Sequence, residues 1–366
     1  MKNKKIIIFG STGKLGSKLL KYCYFNKIPV ETIICFKNKK KILYQSNKYK
    51  IKNTFILKSI DDRKKLNSHI KNKKFRLIYF LDYGSGSLEF IKLLINSNSR
   101  STFAIANKEM IIAGGKTLFK EITYSKNYFI PLDSEHFSLT NSSINSDYIS
   151  KIFITASGGP FYFNKKVNLK NVNLKQVLNH PKWKMGMNNS IDSSNFINKL
   201  LEIFELSAIF NIDIKKVDFF ISKSAFIHSI IFYKNSTISI NAFDNNMLIP
   251  IVSPLIDIFN SKKISINKKK IFDLNNFKFE KYSDTRFQII KHLNYIKNLS
   301  HSGQINFMLF NNLAQNLYLN NKLKYHQIPN FIIKKLKKEK NSVIFKNIDQ
   351  ILIYISMLQK KYEISI

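Results

Sequence analysis

Two acidic side chains, Asp133 and Glu135, stand two residues apart in the segment 131–136, which reads Pro-Leu-Asp-Ser-Glu-His. The apolar run at 128–130 before them predicts a short buried strand that leads into a loop. In extended chain both carboxylates point to the same side. Convergent carboxylates at a strand end bind hard divalent cations such as Mg2+ or Mn2+ through oxygen. A single Asp-x-Glu pattern is by itself more typical of solvated loop charges.

A third carboxylate, Glu202, lies on a helix predicted from about 195 to 210, with Asp192–Ser194 as its cap. Asn198 precedes Glu202 by four residues and Lys199 by three, so the three side chains share one helix face. Asn198 and Lys199 suit a phosphate group, and Glu202 would complete an oxygen cage with the first two carboxylates. The alternative is a surface ion pair between Lys199 and Glu202.

Two loops carry side chains that suit a bound anion and its cover. The turn Ser157-Gly158-Gly159 follows an apolar run at 151–154 and presents backbone N–H groups with a hydroxyl, which predicts an anion nest. The segment 179–186 contains His180 and the single tryptophan, Trp183, between Pro and Gly breakers. This composition predicts a lid over a ligand. The alternative is an ordinary loop with the tryptophan in a core.

A glycine turn near the N-terminus predicts a dinucleotide site. The β-branched run at 4–9 indicates a buried parallel strand, and Gly10-Ser-Thr-Gly13-Lys-Leu-Gly16 follows it directly, before an amphipathic helix. Glycines let the backbone approach a pyrophosphate, and the helix N-terminus adds N–H donors. The second strand ends in a lysine-rich segment, 36–41, where an NAD site usually has an acid. These cations favour NADPH, although lysines are common throughout this chain.

Other polar residues follow later strands of the predicted sheet. A flexible turn, Gly84-Ser-Gly86, comes after the strand predicted at 76–80, and Ala106-Asn107-Lys108-Glu109 ends the strand predicted at 103–106. Ligands in open α/β sheets bind at the carboxyl ends of the strands. The Asn-Lys-Glu cluster is therefore expected to reach both a cofactor and a substrate. Taken alone, it would be only the first turn of a helix.

Length and composition favour a multidomain globular protein. The chain has 366 residues, 44% of them apolar, and no apolar run long enough to cross a membrane, so we expect a cytoplasmic protein. The formal charge of +37 is spread along the whole chain, which argues against a dedicated nucleic-acid surface. The two cysteines, Cys23 and Cys35, lie among apolar residues and are expected to be buried thiols.

The order of elements predicts an α/β fold with three parts. We expect a Rossmann-like NADPH-binding domain at 1–133 and a central α/β catalytic and connective domain at 134–256, with a flap near 179–189. A linker at 257–282 would lead to a C-terminal helical domain at 283–366, where the apolar residues recur with helical spacing.

Seven strings, in order, resemble the 1-deoxy-D-xylulose 5-phosphate reductoisomerase family. They are Gly10–Gly16, Ala106–Glu109, Pro131–His136, Ser157–Phe161, His180–Gly186, Asp192-Ser193 and Asn198–Glu202. The resemblance implies an NADPH- and metal-dependent enzyme of isoprenoid precursor biosynthesis. A retro-aldol and aldol rearrangement would give an aldehyde, and hydride transfer would reduce it to 2-C-methyl-D-erythritol 4-phosphate. The implied partners are a small phosphorylated sugar and a second copy of the chain, with no membrane and no specific nucleic acid.

The resemblance also implies residue roles. Asp133, Glu135 and Glu202 would ligate Mn2+ or Mg2+, with Co2+ a further candidate, and would act in catalysis with Lys108 and His136. The substrate would be bound by Lys108, Ser134, Glu135, Ser157, His180, Trp183, Met185, Ser193, Asn198, Lys199, Glu202 and His228. NADPH would be bound by Gly10, Thr12, Gly13, Lys14, Leu15, Lys37, Asn38, Asn107, Glu109 and Gly186.

Several positions depart from the family pattern. Ser222–Ala225 replaces a usual His-Pro-Gln-Ser, Lys199–Glu202 lacks a glycine, Met187-Asn188 replaces a basic pair, Phe36 replaces a glycine, and Met308–Asn312 replaces Asn-Ala-Ala-Asn-Glu. These changes affect the pocket wall and the adenine side more than the metal cage. A cofactor-binding homologue without turnover is the alternative to an active enzyme.

Overall fold

A computed structural model describes residues 5–142, 144–181, 186–261, 278–283 and 285–364. The chain divides into two compact units. Over their described residues, the first comprises Met1–Thr140 with Asp244–Asn267, and the second comprises Asn141–Phe243 with Lys268–Ile366. Most of the predicted linker at 257–282 lies outside the described residues.

The first unit contains a parallel sheet of six strands in the order β3-β2-β1-β4-β5-β6. Chain order reverses between β1 and β4, which is the switch point where open α/β sheets bind ligands. Short Ile- and Phe-rich runs form these strands because both faces of the sheet are covered. The strands are β1 Ile6–Phe9, β2 Thr32–Cys35, β3 Asn53–Ile56, β4 Leu77–Phe80, β5 Thr102–Ile105 and β6 Tyr128–Pro131.

Helices follow the strands of this sheet and place the polar residues at its carboxyl edge. They are α1 Lys14–Phe25, α2 Lys39–Tyr49, α3 Ile60–Lys71, α4 Leu88–Ser97, α5 Lys108–Tyr124 and the short α6 Ser134–Phe137. The predicted Rossmann-like fold, a parallel sheet with helices between its strands, is confirmed. Both cysteines are buried, as expected.

A later helix, α10 Leu248–Phe259, packs on the same sheet. Ile251, Val252 and Leu255 are fully buried in the core cluster that also contains strand residues of β1 and β4. The Tyr79 hydroxyl donates to the Ile251 carbonyl oxygen at 2.8 Å. Residues 248–256 were predicted to belong to the central domain, whereas this core groups them with the first unit. The helix is strongly apolar on one face, and that face needs a large apolar partner.

The second unit is built on a mixed sheet of four strands in the order β10-β9-β7-β8. Strands β7 and β8 are parallel, while β9 is antiparallel to both β7 and β10. The strands are β7 Ile149–Ala156, β8 Val217–Ile221, β9 Ile227–Tyr233 and β10 Ile238–Ala242.

Helices of the second unit include the predicted C-terminal helical region. They are α7 Leu174–Leu178, α8 Met187–Ser194, α9 Ile197–Phe210, α11 Leu293–Lys297, α12 His301–Leu319, α13 Ile328–Leu336 and α14 Ile348–Tyr362. Within the ranges described, no helix combines the length and apolarity that a bilayer crossing requires.

The start of α9 differs from the predicted cap. Asp192–Ser194 forms the last turn of α8, and Phe196, with φ of +68°, separates the two helices. Phe196 is the N-cap of α9, and the Asn195 side chain just before it accepts a hydrogen bond from the Ile197 N–H at 3.0 Å. The prediction was wrong because Asp and Ser fit a helix C-terminus when tertiary partners satisfy their side chains.

We predict that Leu255→Ala lowers the free energy of unfolding of the first unit by about 2–5 kcal/mol, because it leaves a cavity beneath α10. Urea denaturation followed by circular dichroism measures this loss. The matched control is Leu43→Ala, which truncates an exposed leucine of α2 and should change the value by less than about 0.5 kcal/mol. Equal effects of the two variants would contradict the packing of α10 on the sheet.

Candidate active site

The glycine turn after β1 has the shape of a phosphate cradle. Gly10 has φ of +78°, and a Cβ there would lie 2.5 Å from the Asp82 backbone nitrogen. A Cβ on Gly16 would lie 2.4 Å from the Gly10 carbonyl oxygen. A side chain at Gly10 or Gly16 would therefore collide with the neighbouring backbone. Gly13 caps α1 without a side-chain hydrogen bond, so the first N–H groups of the helix face the turn.

A carboxylate that the sequence analysis did not consider, Asp82, lies beside this cradle. It follows β4 and accepts a hydrogen bond from the Ser87 hydroxyl, while its Oδ1 is buried. Burial raises the pKa of the Asp82 carboxyl to about 6, against the opposing effect of Ser87. An Asp directly after an apolar strand was the available sequence signal.

The residues of the first unit that are predicted to bind NADPH lie in three places. Lys37 and Asn38 are exposed between β2 and α2, and the Asn38 side chain caps α2 by accepting from Lys41 N–H at 3.0 Å. Asn107 caps α5 and donates to the Gly84 carbonyl oxygen at 2.8 Å, which ties the loops after β4 and β5 together. Around the turn and α5, Lys14 is exposed, Thr12 and Leu15 are partly buried, and Glu109 is buried.

Asp133 and Lys108 form an ion pair at the carboxyl edge of the sheet. The Lys108 Nζ lies 2.6 Å from Asp133 Oδ2, and both side chains are largely buried. Behind them, His136 is fully buried, with its Nδ1 3.5 Å from Asp133 Oδ1. The lysine is the first residue of α5, so the strand end and the helix start together fix the carboxylate.

The two carboxylates of 131–136 are not arranged as extended chain. Asp133 caps α6, and its side chain accepts from the Glu135 N–H at 3.2 Å. Glu135 lies in the helix, and its carboxylate accepts a hydrogen bond from the Ser134 hydroxyl. The predicted extended chain at Asp133 and Glu135 was wrong, because Asp133 caps a helical turn directly after the strand.

Glu202 is buried in α9 of the second unit, with 2% of its surface exposed. Its Oε2 lies 2.5 Å from the Lys199 Nζ, and its Oε1 accepts a hydrogen bond from the Asn198 side chain. The shared helix face predicted for these three residues is therefore present. The alternative of a surface ion pair is wrong, because Lys199 is also buried.

The Ser157-Gly158-Gly159 turn packs against the end of α8. Gly158 and Gly159 have φ of +82° and +59°, and a Cβ on Gly159 would lie 2.8 Å from the Ser193 carbonyl oxygen. The close approach places Ser193 next to the turn. The Ser157 hydroxyl lies 3.0 Å from His180 Nε2. Two serines and one histidine predicted to contact substrate thus lie in one region of the second unit.

Other predicted substrate residues have different positions. His228 is buried in β9, where its ring stacks on Phe243 and its Nε2 lies 3.3 Å from the Phe243 carbonyl oxygen. Trp183 and Met185 lie outside the described residues. Gly186, predicted for NADPH, caps α8.

A buried polar network in the second unit was missed. The Asp192 carboxylate accepts from the Asn311 amide at 3.0 Å and from the Gln315 amide at 2.5 Å. These partners belong to α12, one helical turn apart, and they lie among buried apolar residues. The network fixes the turn of α8 that carries Ser193. A polar pair at helical spacing in an apolar stripe was the sequence signal.

The fold and these residues define an α/β nucleotide-binding protein whose second unit carries a glycine-rich turn and a buried carboxylate. The model of the 1-deoxy-D-xylulose 5-phosphate reductoisomerase C-terminal domain matches residues 129–210. A reductoisomerase of that name from Pelagibacter ubique is 35% identical over 358 residues, which cover 90% of each chain. One from Clostridium novyi is 30% identical over 95% of this chain and 96% of its own. The chain belongs to the 1-deoxy-D-xylulose 5-phosphate reductoisomerase family.

Solved structures agree in fold. A DOX-P reductoisomerase in complex with NADPH, fosmidomycin and magnesium has a TM-score of 0.84 at 21% identity, covering 98% of this chain and 96% of its own. The reductoisomerase of Zymomonas mobilis in complex with NADPH has a TM-score of 0.78 at 20% identity, covering 98% of each chain. The predicted family, fold class and enzyme class are confirmed.

We predict that protonation of His180 weakens the second unit in acid. Burial, together with the Lys199 charge, lowers the pKa of His180 from 6.5 to about 4. The unfolded chain binds this proton below about pH 6.5 and the folded chain only near pH 4, so stability falls across that interval. We expect His180→Gln to remove about 2 kcal/mol of this loss, allowing for solvent screening of a partly exposed ring. Denaturant titrations of the wild type and of His180→Gln at about pH 6.5 and about pH 4 measure the loss of stability. An equal loss in the two proteins would contradict the prediction.

Proposed function

We propose that this chain converts 1-deoxy-D-xylulose 5-phosphate to 2-C-methyl-D-erythritol 4-phosphate with NADPH and a divalent metal ion. The family to which the chain belongs supports the reaction. The observation that carries the proposal is the set of buried or half-buried carboxylates, Asp133, Glu135 and Glu202, each held by neighbouring donors.

The glycine cradle fits a dinucleotide. Gly10 and Gly16 lie so close to neighbouring backbone that a side chain at either position would not fit. The N–H groups at the start of α1 face the same turn. We assign the pyrophosphate to Gly10, Thr12, Gly13, Lys14 and Leu15. Lys37, exposed after β2, would then pair with a 2′-phosphate, which favours NADPH over NADH.

We assign the remaining cofactor contacts to the next strand ends and to the start of α8. Asn38, Asn107, Glu109 and Gly186 complete the proposed NADPH site. Asn107 holds the loops after β4 and β5 in one position through its two internal hydrogen bonds. Its role in binding would therefore be to fix the crevice wall as well as to contact the cofactor.

Asp133, Glu135 and Glu202 supply only carboxylate oxygens, which suit Mg2+ or Mn2+ and also accept Co2+. Each of these carboxylates is fixed before any ion binds. Asp133 pairs with Lys108 at 2.6 Å, and Glu202 is held by Lys199 at 2.5 Å. Such fixed donors lose little conformational freedom on binding a metal.

When bound, the metal supplies Lewis-acid polarisation of the substrate oxygens, and NADPH supplies the hydride. Lys108 and Ser134 are proposed to orient the reacting oxygens, since both stand beside the metal ligands. His136 is fully buried behind Asp133, so its role is to position that carboxylate. His180, Trp183 and Met185 would cover the substrate and exclude water, while His228 would line the pocket.

Ser157, Ser193, Asn198 and Lys199 are proposed to bind the substrate phosphate. The close packing of Gly159 on Ser193 supports this grouping, as does the shared face of Asn198 and Lys199. A phosphate held there is remote from the reacting carbons, so its binding energy orients the substrate.

We propose a homodimer in the cytoplasm as the working form. The edge strand β10 exposes Ile238 and Ile240, which are 56% and 57% exposed. Apolar side chains on an unpaired edge favour association with another chain. Size-exclusion chromatography with light scattering measures the state of the wild-type protein.

We predict that Glu202→Gln lowers turnover by at least about a thousandfold, because it removes a charged metal ligand. NADPH oxidation with 1-deoxy-D-xylulose 5-phosphate, assayed with and without Mn2+, measures the loss. NADPH binding, followed by fluorescence, should be retained and serves as the control for folding. Full activity of this variant would exclude the proposed metal site. A wild-type protein that binds NADPH without turnover would instead be a homologue that has lost catalysis.

We predict that Lys37→Glu weakens NADPH binding about tenfold, because it places a negative charge beside the 2′-phosphate. NADH, which lacks that phosphate, should lose much less. Lys50→Glu is the matched control, since it makes the same charge change at an exposed position after α2. Fluorescence titration of both cofactors gives the ratio, and equal losses for NADPH and NADH would contradict this role.

A further inference from the structure

Lys223 lies in the loop between β8 and β9, in the segment Ser222–Ala225 that departs from the family pattern. The loop is fixed at its base, because the Ser222 N–H donates to the Ala156 carbonyl oxygen at 2.8 Å. Ala156 is the last residue of β7 and directly precedes Ser157. The base of the Lys223 loop is therefore bonded next to the predicted anion turn.

The side chain of Lys223 is held by an aromatic ring that itself packs on that turn. The Lys223 Nζ lies 4.4 Å from the centroid of the Phe163 ring. The Phe163 ring lies so close to Gly158 that a Cβ there would be 2.8 Å from its Cε2. The ring holds the ammonium without neutralising its charge, because an aromatic face carries no net charge.

Lys223 and Ser157 line the same cavity of the second unit, which has a volume of about 600 Å3. Gly159 also lines this cavity, and Phe163 forms part of its apolar wall. The volume lies within the range of small-molecule sites. An exposed ammonium thus shares a ligand-sized space with a hydroxyl predicted to contact phosphate.

The charge balance of the phosphate region leaves room for a second cation. A phosphate monoester carries a charge of about −1.5 to −2 at neutral pH. Lys199, the cation predicted to bind it, is 2.5 Å from Glu202 and shares its charge with that carboxylate. Another positive charge near the Ser157 turn would offset the remainder.

We propose that Lys223 is a further phosphate-recognition residue, which attracts the substrate's phosphate group to the Ser157-Gly158-Gly159 turn. This inference rests on the proposed function for the identity of the substrate. Its physical content, an anion bound near this turn with help from Lys223, is independent of turnover.

The test compares Lys223→Met and Lys223→Arg with the control Lys234→Met. Lys234 is exposed after the far end of β9, so the control removes the same charge from the same unit. Two quantities are measured for each protein: the KM for 1-deoxy-D-xylulose 5-phosphate, with kcat alongside, and the Kd of inorganic phosphate by equilibrium dialysis.

We expect Lys223→Met to raise both KM and the phosphate Kd about fivefold, a factor equivalent to about 1 kcal/mol, with kcat unchanged. Lys223→Arg should restore both values. The difference should shrink when the salt concentration is raised from about 0.05 M to about 0.5 M, because the attraction is electrostatic.

The proposal is overturned if Lys223→Met changes the phosphate Kd no more than Lys234→Met, or if the effect is independent of salt. A purely structural role of the lysine on the Phe163 ring would give that second result. Wild-type protein without turnover contradicts the proposed function alone, since phosphate dialysis still decides the role of Lys223.

Discussion

Charge that is removed from water must be compensated nearby, and this constraint governs the site residues of both units. Lys108 lies 2.6 Å from Asp133 in the first unit, and Lys199 lies 2.5 Å from Glu202 in the second. Both lysines come from the first turn of a helix, so the helix start sets the position of the carboxylate. Removing either lysine would take the ion-pair partner away from a largely buried carboxylate, which is costly.

In both units a glycine also lets two backbone segments approach each other closely. Gly10 touches the backbone of Asp82 after β4, and Gly159 touches the backbone of Ser193 at the end of α8. Each glycine has positive φ and no room for a Cβ, so each marks a place where two segments meet without a side chain between them. Both glycines belong to turns that we propose to bind phosphate groups.

The many lysines contribute to specific recognition only where the structure holds an individual ammonium group in a defined position. Lys199 is buried against a carboxylate, whereas Lys223 is exposed and held over the Phe163 ring. A charge of +37 spread over the chain gives a general attraction for anions. Specific recognition requires a cation at a defined position. Lys199 has such a position on α9, and Lys223 has one beside the Ser157 turn.

The sequence by itself determined the strand–turn–helix at Gly10 and the apolar strands of the first sheet. It also determined the shared helix face of Asn198, Lys199 and Glu202. All of these depend on the local spacing of residue types. It did not determine the helical turn at Asp133 or the break at Phe196. Those two features rest on contacts within two residues, Glu135 N–H to Asp133 and Ile197 N–H to Asn195, which the strand and cap patterns did not reveal. Only the tertiary structure decided the burial of Asp192 against Asn311 and of α10 on the first sheet. The physical reason is that the partners of these two segments lie more than a hundred residues away along the chain, which no local pattern encodes.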